Sequence, residues 1–447
     1  MSGLDEERSE TGERSHGEAR AFQAPTGTRD ILPPESARFA ALVGRFAEIC
    51  RLAGYGLVLS PLFEDVAVFR RSAGEESDIV KDEMYEFADK GGRTLALRPE
   101  GTASVVRAFV QHRPTVPWKT WYVTPAFRYE RPQAGRYRQH HQVGVEVLGT
   151  ADADCDVEVI ALLHDLLAAV GLRRLELKLN SMGDENCMPA YRAALVAALS
   201  EVEGDLCAEH QKRWDKNPLR VLDCKKPECR AVRHSLPRLV DALCDPCRDH
   251  LERVQAGLDA LGISFAQDDF LVRGFDYYTR TTFEFAALAL DAAQNAVGGG
   301  GRYDGLVAQL GGPPTAGIGF GAGIERILLA CDAEEALADV ATGVDVFVVD
   351  LTGGDAARDL AHRLRRGRVA TDRGFGGRSL KAQLKLADRS GARLAVIVGA
   401  AEKEAGTVTL RDLRDAAHRQ AAVPLERLVE DVRAWLSDPP PPEHHRG

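Results

Sequence analysis

The residue types that could do chemistry gather in two stretches of this chain. The first is Arg128-Tyr129-Glu130, then a basic loop, then Gln142-Val143-Gly144-Val145-Glu146. The second is Leu271-Val272-Arg273-Gly274-Phe275-Asp276-Tyr277-Tyr278. The first stretch reads as a β-hairpin. Side chains alternate along a strand, so Arg128 and Glu130 are expected on one face. On the return strand Gln142, Gly144 and Glu146 share a cavity-facing side, while Val143, Val145 and Val147 form a core face. Gly144 is expected to leave room for a ligand. An arginine, two carboxylates and an amide on one sheet surface cost too much to bury without a purpose. They suit a ligand that carries phosphate, amine and imidazole together.

The elements around these residues follow from periodicity. Glu35 to Ala53 predicts an amphipathic helix with Phe39, Leu42, Val43, Phe46 and Ile49 inward. A strand from Gly56 to Ser60 ends at Pro61, and Thr94 to Leu97 is another. Thr102 is a natural N-cap for a helix that begins near Ala103. The hairpin spans Lys119 to Leu148. Its connection, Arg131 to Arg138, carries three arginines and is long enough to reach over a ligand. Asp156 to Ala169 predicts a helix and Leu175 to Leu179 a strand. Residues 184–262 switch to helices and cysteine turns and read as an insertion, with strand patterns resuming at Phe270. Gly298 to Gly305 reads as a glycine-rich turn. Gly317 to Arg326 passes from strand into helix and lacks the spacing of a dinucleotide fingerprint. From Val344 to Val398 the pattern is βαβ, a separate small α/β domain with a parallel or mixed sheet.

A chain of 447 residues with 45% hydrophobic content predicts two or three domains with real cores. Its formal charge of −10 argues against indiscriminate nucleic-acid binding. Between Arg358 and Arg393, however, eleven Lys/Arg face three Asp. Such a patch fits one partner bound at one place; solvated helix faces are the competing reading. No apolar run is long enough for a membrane span. The charged segment 1–21 and the Pro-rich end 438–447 predict disordered tails rather than signals. Nine cysteines without an export signal point to the cytoplasm. Cys224 and Cys229, with Cys244 and Cys247, could form one tetrahedral structural Zn²⁺ site, with free thiols as the alternative.

From about Phe22 to Leu436 the chain resembles the histidyl-tRNA synthetases of the class II aminoacyl-tRNA synthetases. The segment ending at Pro61 is similar to the first, dimer-forming class motif. Phe127 to Glu130 is similar to the second motif, and Gly321 to Arg326 to the third. Leu271 to Tyr278 and Gly300 to Gly305 resemble segments particular to the histidine enzymes. The resemblance implies an α+β catalytic domain (22–335) built on a six-stranded antiparallel sheet. It also implies a helical Cys-rich insertion at 184–262 and an α/β anticodon-binding domain at 343–437. The implied activity is histidine–tRNA ligation: ATP and L-histidine give histidyl-adenylate, which is transferred to tRNA(His) by a cytoplasmic homodimer. Mg²⁺ is expected with the nucleotide.

The resemblance also implies roles. Arg128 and Arg273 flank the reacting phosphate as the catalytic pair. Glu130, Arg136 and Arg326 join Arg128 on ATP. Glu100, Thr102, Gln142, Glu146, Arg273, Tyr278 and Tyr303 hold histidine. Gln133 and Arg138 touch the tRNA acceptor end, and Arg378, Lys381 and Lys385 could meet the anticodon stem. A non-catalytic relative, the regulatory subunit of ATP phosphoribosyltransferase, is the alternative. It typically lacks the C-terminal domain and the catalytic arginines.

Overall fold

The computed structural model describes residues 22–438, apart from 75, 76, 78, 132, 134, 273, 276, 292–294, 339, 341, 342 and 416–418. The expected tails at 1–21 and 439–447, and the expected catalytic Arg273, therefore lie outside the described residues. The chain forms two units that divide between Leu337 and Ala338, with the short stretch Pro33–Arg38 grouped with the second.

The first unit is built on a sheet of β1 (Gly56–Leu57), β2 (Trp118–Phe127), β3 (Gln139–Leu148), β4 (Leu175–Ser181), β5 (Ala266–Gln267), β6 (Thr279–Ala287), β7 (Ala296–Arg302) and β8 (Gly317–Gly323). Their spatial order is β1-β2-β3-β8-β7-β6-β4-β5. The six inner strands pair antiparallel throughout. The two-residue edge strands β1 and β5 pair parallel and extend the expected six-stranded sheet to eight.

One face of this sheet is the core. Val143, Val145 and Val147 are fully buried, each worth about 1.5–3 kcal/mol relative to exposure. The helix Glu35–Leu52 buries Leu42, Phe46 and Cys50, one residue per turn. The Phe46 ring meets Trp121 of β2 edge-on at 5.7 Å and Phe320 of β8 at 6.1 Å. The opposite face of β3 carries Gln142, Gly144 and Glu146.

Three local expectations need correction. The glycine run at 298–301 is the middle of β7, not a turn. A Cβ at Gly300 would lie 2.0 Å from the Gly319 carbonyl oxygen on β8, so glycine here permits close backbone approach. After the insertion the strands are the short β5 at Ala266–Gln267 and then β6 from Thr279, and none starts at Phe270. Thr102 is the first helical residue of Thr102–His112, and the N-cap is Gly101, which supplies no side-chain cap.

Residues 184–262 do form a helical insertion, with helices Met188–Glu201, Leu219–Leu222, Pro227–Arg233 and Asp245–Ala260. A buried ion network ties its last helix to the sheet. Arg302 of β7 pairs with Asp156, whose other contact is His250 Nε2 at 2.8 Å. Arg302 also donates to the Thr150 carbonyl at 3.0 Å and to Asp304 at 3.2 Å. Burial would raise the Asp156 pKa, but the His250 and Arg302 contacts outweigh it and hold the carboxyl below its ordinary range.

The second unit has a mixed sheet of β9 (Val346–Asp350), β10 (Thr371–Arg373), β11 (Leu394–Val398), β12 (Thr407–Asp412) and β13 (Gln420–Pro424), in the order β10-β9-β11-β12-β13. β10, β9 and β11 run parallel, while β12 and β13 add antiparallel. Helices Asp355–Arg366 and Leu428–Ser437 cover one face and Leu380–Arg389 the other. Ser379 caps the last of these through its hydroxyl. Among the described residues no helix is long and apolar enough to cross a membrane.

Candidate active site

A cleft of about 430 Å³ opens on the polar face of the large sheet. Glu100, Thr102, Arg128, Glu130, Arg136, Gln142, Tyr278 and Arg326 line it together. They come from segments spread over more than two hundred residues of sequence, so the fold alone gathers them.

Arginine chemistry dominates one end. β2 stops at Phe127, so Arg128 and Glu130 are not strand residues as expected. The Arg128 N–H instead bonds the Arg138 carbonyl at 2.9 Å and closes the base of the loop. Arg128 Nε donates to the Pro99 carbonyl at 2.9 Å, and the guanidinium lies 5.8 Å from the Phe275 ring centroid. Arg326 sits in the first turn of the helix Ile324–Ala333, where the N-terminal dipole also favours anions. It donates to the Ala296 carbonyl at 2.9 Å. Arg136 reaches Glu130 at 3.2 Å, and Arg128 approaches the same carboxylate at 3.9 Å. Burial, and then the neighbouring Arg136 and Arg128, push the Arg326 pKa down, with Glu130 opposing. Three guanidinium groups around one carboxylate form an excess of fixed positive charge, the arrangement that receives phosphate.

The other end is a layered carboxylate site. The Glu100 carboxylate accepts the main-chain N–H groups of Thr102 and Ala103, the latter at 2.8 Å, and so performs the capping expected of Thr102. The Thr102 hydroxyl is freed to donate to Glu146 Oε1 at 2.7 Å. Tyr303 also hydrogen-bonds Glu146, and Tyr122 does so at 3.3 Å. Glu146 and Tyr303 are buried beneath the cleft and do not line it. Burial pushes the Glu146 pKa up to about 8, against the pull of the Tyr303 and Thr102 bonds. Burial also raises that of Glu100.

Gly144 does not leave room for a ligand. A Cβ there would lie 2.4 Å from Tyr122 Cζ, so the tyrosine ring occupies that space. Tyr122, paired with Gly144 across the hairpin, was missed by sequence reasoning. His140 was missed as well. It lines the cleft, and burial, with Arg128 and Arg326 nearby, pushes its pKa down to about 3, which keeps the imidazole neutral. Strand alternation places His140 on the Gln142 face, and that signal was present. Glu325 fixes the neighbouring His141 by accepting its N–H at 2.9 Å and facing Nδ1 at 2.7 Å.

Gln133 and Arg138 lie in the loop but not on the cleft wall. Gln133 bridges to Arg136 through the main chain, and Arg138 stacks its guanidinium 3.7 Å from the Tyr129 ring centroid. The four cysteines expected to share one metal do not cluster together. Cys224 and Cys229 lie with Cys207 and His210, whereas Cys244 and Cys247 lie with Cys187 and Asp184. The linear spacing could not reveal that partners come from upstream turns.

The family model described as histidyl-tRNA synthetase matches residues 27–327, and that of the anticodon binding domain matches 345–435. The chain belongs to the histidyl-tRNA synthetase family. It is 46% identical over 422 residues to the histidine–tRNA ligase of Saccharopolyspora erythraea, covering 93% of this chain and 99% of that one. With the histidine–tRNA ligase of Moorella thermoacetica the identity is 48% over 414 residues, 92% and 97% of the two chains. The apo histidyl-tRNA synthetase of S. aureus superposes with a TM-score of 0.77 at 34% identity, covering 92% of this chain and all of that one. As a synthetase-family chain it has the class II catalytic sheet and a separate C-terminal sheet domain.

Proposed function

We infer that the chain is a histidine–tRNA ligase and that the cleft is its adenylation site. One observation carries this reading: a cluster of three guanidinium groups shares one cleft with the Glu100/Thr102/Gln142 polar set. Histidine's carboxylate is already ionised, so its attack on the α-phosphate needs no general base. Charge repulsion is the obstacle, and preorganised cations are what lower it. Arg128 contacts the α-phosphate and the carboxylate. Arg326 and Arg136 take the outer phosphates, and Glu130 accepts from the adenine amino group. Arg273, by its resemblance to the family arginine, is taken as the second catalytic cation of this step. The carboxylate oxygen bonds to phosphorus as the bond to pyrophosphate breaks. Glu284, which lines the cleft near Arg326, would offer a hard oxygen to the Mg²⁺ expected with the nucleotide, and that ion would offset charge on the phosphates.

The ammonium is held by Glu100, Thr102 and Gln142. The imidazole enters between Tyr278 and the buried Glu146 layer, with Tyr303 behind it. A side chain that cannot answer these groups leaves them unpaired, which is how such pockets discriminate. In the second step the tRNA 3′-terminal ribose hydroxyl attacks the adenylate carbonyl, its proton passes to the adenylate phosphate, and AMP leaves. Gln133 and Arg138, on the loop at the cleft mouth, meet the acceptor end.

The C-terminal unit, taken as the anticodon-binding domain, has its own recess lined by Arg373, Phe375 and Arg378. Arg373 lies 4.4 Å from the centroid of the exposed Phe375 ring, a platform for base stacking. Exposed Leu57, Leu59, Leu62 and Phe63 support the homodimer expected of the first class motif. The C-terminal domain and the intact arginines favour a ligase over a regulatory subunit. Histidine-dependent pyrophosphate–ATP exchange, run against each standard amino acid, tests the reading. No exchange with histidine, or equal exchange with another amino acid, overturns it.

A further inference from the structure

We propose that the insertion holds two separate structural zinc ions, one bound by Cys207, His210, Cys224 and Cys229, the other by Asp184, Cys187, Cys244 and Cys247.

The geometry argues first. Within each group one ligand atom per residue lies within 4.8 Å of all the others. Tetrahedral Zn²⁺ with its usual bond lengths sets ligand–ligand edges of about 3.8 Å for S···S and about 3.5 Å for S···N or S···O. In the first group Cys207 Sγ lies 4.0 Å from Cys224 Sγ and 3.3 Å from His210 Nδ1, and Cys229 Sγ lies 3.6 Å from the same nitrogen. In the second, Asp184 Oδ1 is 3.4 Å from Cys187 Sγ and 3.8 Å from Cys244 Sγ. These five edges are close to those of a coordination tetrahedron, and the remaining ones lie within 4.8 Å. None of the nine cysteines is disulfide-bonded.

The surroundings favour thiolates. Cys187 and Cys244 occupy the N-cap positions of Met188–Glu201 and Asp245–Ala260, where the helix dipole stabilises negative charge. Main-chain N–H groups point at sulfur in both groups: Cys207 N to Cys229 Sγ at 3.4 Å, and Cys244 N to Cys187 Sγ at 3.1 Å. Such donors are the outer-shell contacts of a structural metal site. A bound cation deprotonates its thiol ligands. Four protein ligands leave no open position, so neither ion is catalytic.

The two sites divide the work of holding the insertion. The second joins the turn at 184–187, where the chain leaves β4, to residues 244–247, where it starts back. It is a clasp at the base. The first lies inside the insertion and fixes Cys224, whose neighbours Asp223 and Lys225 line the catalytic cleft. Zinc there would hold one wall of the site in place.

Elemental analysis of the full chain, expressed in zinc-supplemented medium and purified without chelators, is expected to give two zinc equivalents per chain. Cys229→Ser and Cys247→Ser should each lower this to one. Cobalt-substituted wild-type protein should show thiolate-to-cobalt charge-transfer absorption for both sites. Titrating wild-type thiols with an organomercurial should release both equivalents to a metallochromic dye, a readout that survives if either variant fails to fold. One equivalent in the wild type, none, or metal-free protein with oxidised cysteine pairs overturns the two-site assignment.

Discussion

Glu146→Gln separates two properties that the buried carboxyl contributes. Glu146 has no exposed surface, and its pKa stands at about 8 rather than the ordinary 4.5. Each tenfold step in proton affinity is worth about 1.4 kcal/mol, so that interval corresponds to about 5 kcal/mol. The sign follows from proton counting. Between pH 4.5 and 8 the native state holds a proton that the unfolded chain has released, so stability falls as pH rises through this window and levels off above it. By pH 7 about 3 kcal/mol of it is lost. Glutamine mimics the protonated acid in shape and cannot ionise. The Thr102, Tyr303 and Tyr122 hydroxyls can each turn to donate or accept, so the amide finds partners. Denaturant unfolding of ligand-free protein at pH 5.5, 7 and 8.5 should show the variant ahead of wild type by about 1.4 kcal/mol at the lowest pH and gaining further at each step. In exchange assays the same variant should raise the histidine KM and leave the ATP KM unchanged. Parallel stability curves for the two proteins would refute the buried, neutral acid, and an unchanged histidine KM would refute its place in the pocket.

Other residues give sharper single readouts. Arg326→Ala removes a fixed cation at the phosphate end and should cut the exchange kcat by about 100- to 1,000-fold, measured at saturating histidine, with little change in melting temperature. Arg302→Ala strands Asp156 in the core and should cost about 3–5 kcal/mol of stability, read as a shifted denaturant midpoint. Phe375→Ala should weaken tRNA(His) binding by the stacking of one base, about 1–3 kcal/mol, read as a raised tRNA KM in charging with exchange unchanged.

Much of this architecture was legible because hydrophobic period and sheet alternation report local burial directly. The valine face of β3, the helix at Glu35–Leu52 and the strand-to-helix passage into Arg326 all have one-dimensional signatures. What failed depends on neighbours that are distant in sequence. Gly298 to Gly301 has the composition of a turn, and only the adjacent backbone of β8 explains why such a run is a strand. Gly144 looked like space for a ligand because the hairpin register that places Tyr122 opposite it is not written locally. Thr102 has ideal N-cap chemistry, yet Glu100 reaches the same N–H groups and releases the threonine to Glu146. Two pairs of cysteines in sequence were enough to suggest metal and not enough to say that each pair completes its quartet with upstream residues.

The arginine cluster shows why the cleft can be ready before substrate arrives. A guanidinium carries five N–H donors in a rigid plane. Arg128 commits one to the Pro99 carbonyl at 2.9 Å, and Arg326 commits two, to the carbonyls of Ala296 at 2.9 Å and Gly135 at 3.4 Å. Those bonds fix each plane against main chain and leave donors for phosphate. Lysine could supply the charge but not this division, because its ammonium has no plane to hold and no fork to present. Orientation is thus settled during folding, and the developing charge of the transition state meets dipoles that need no rearrangement.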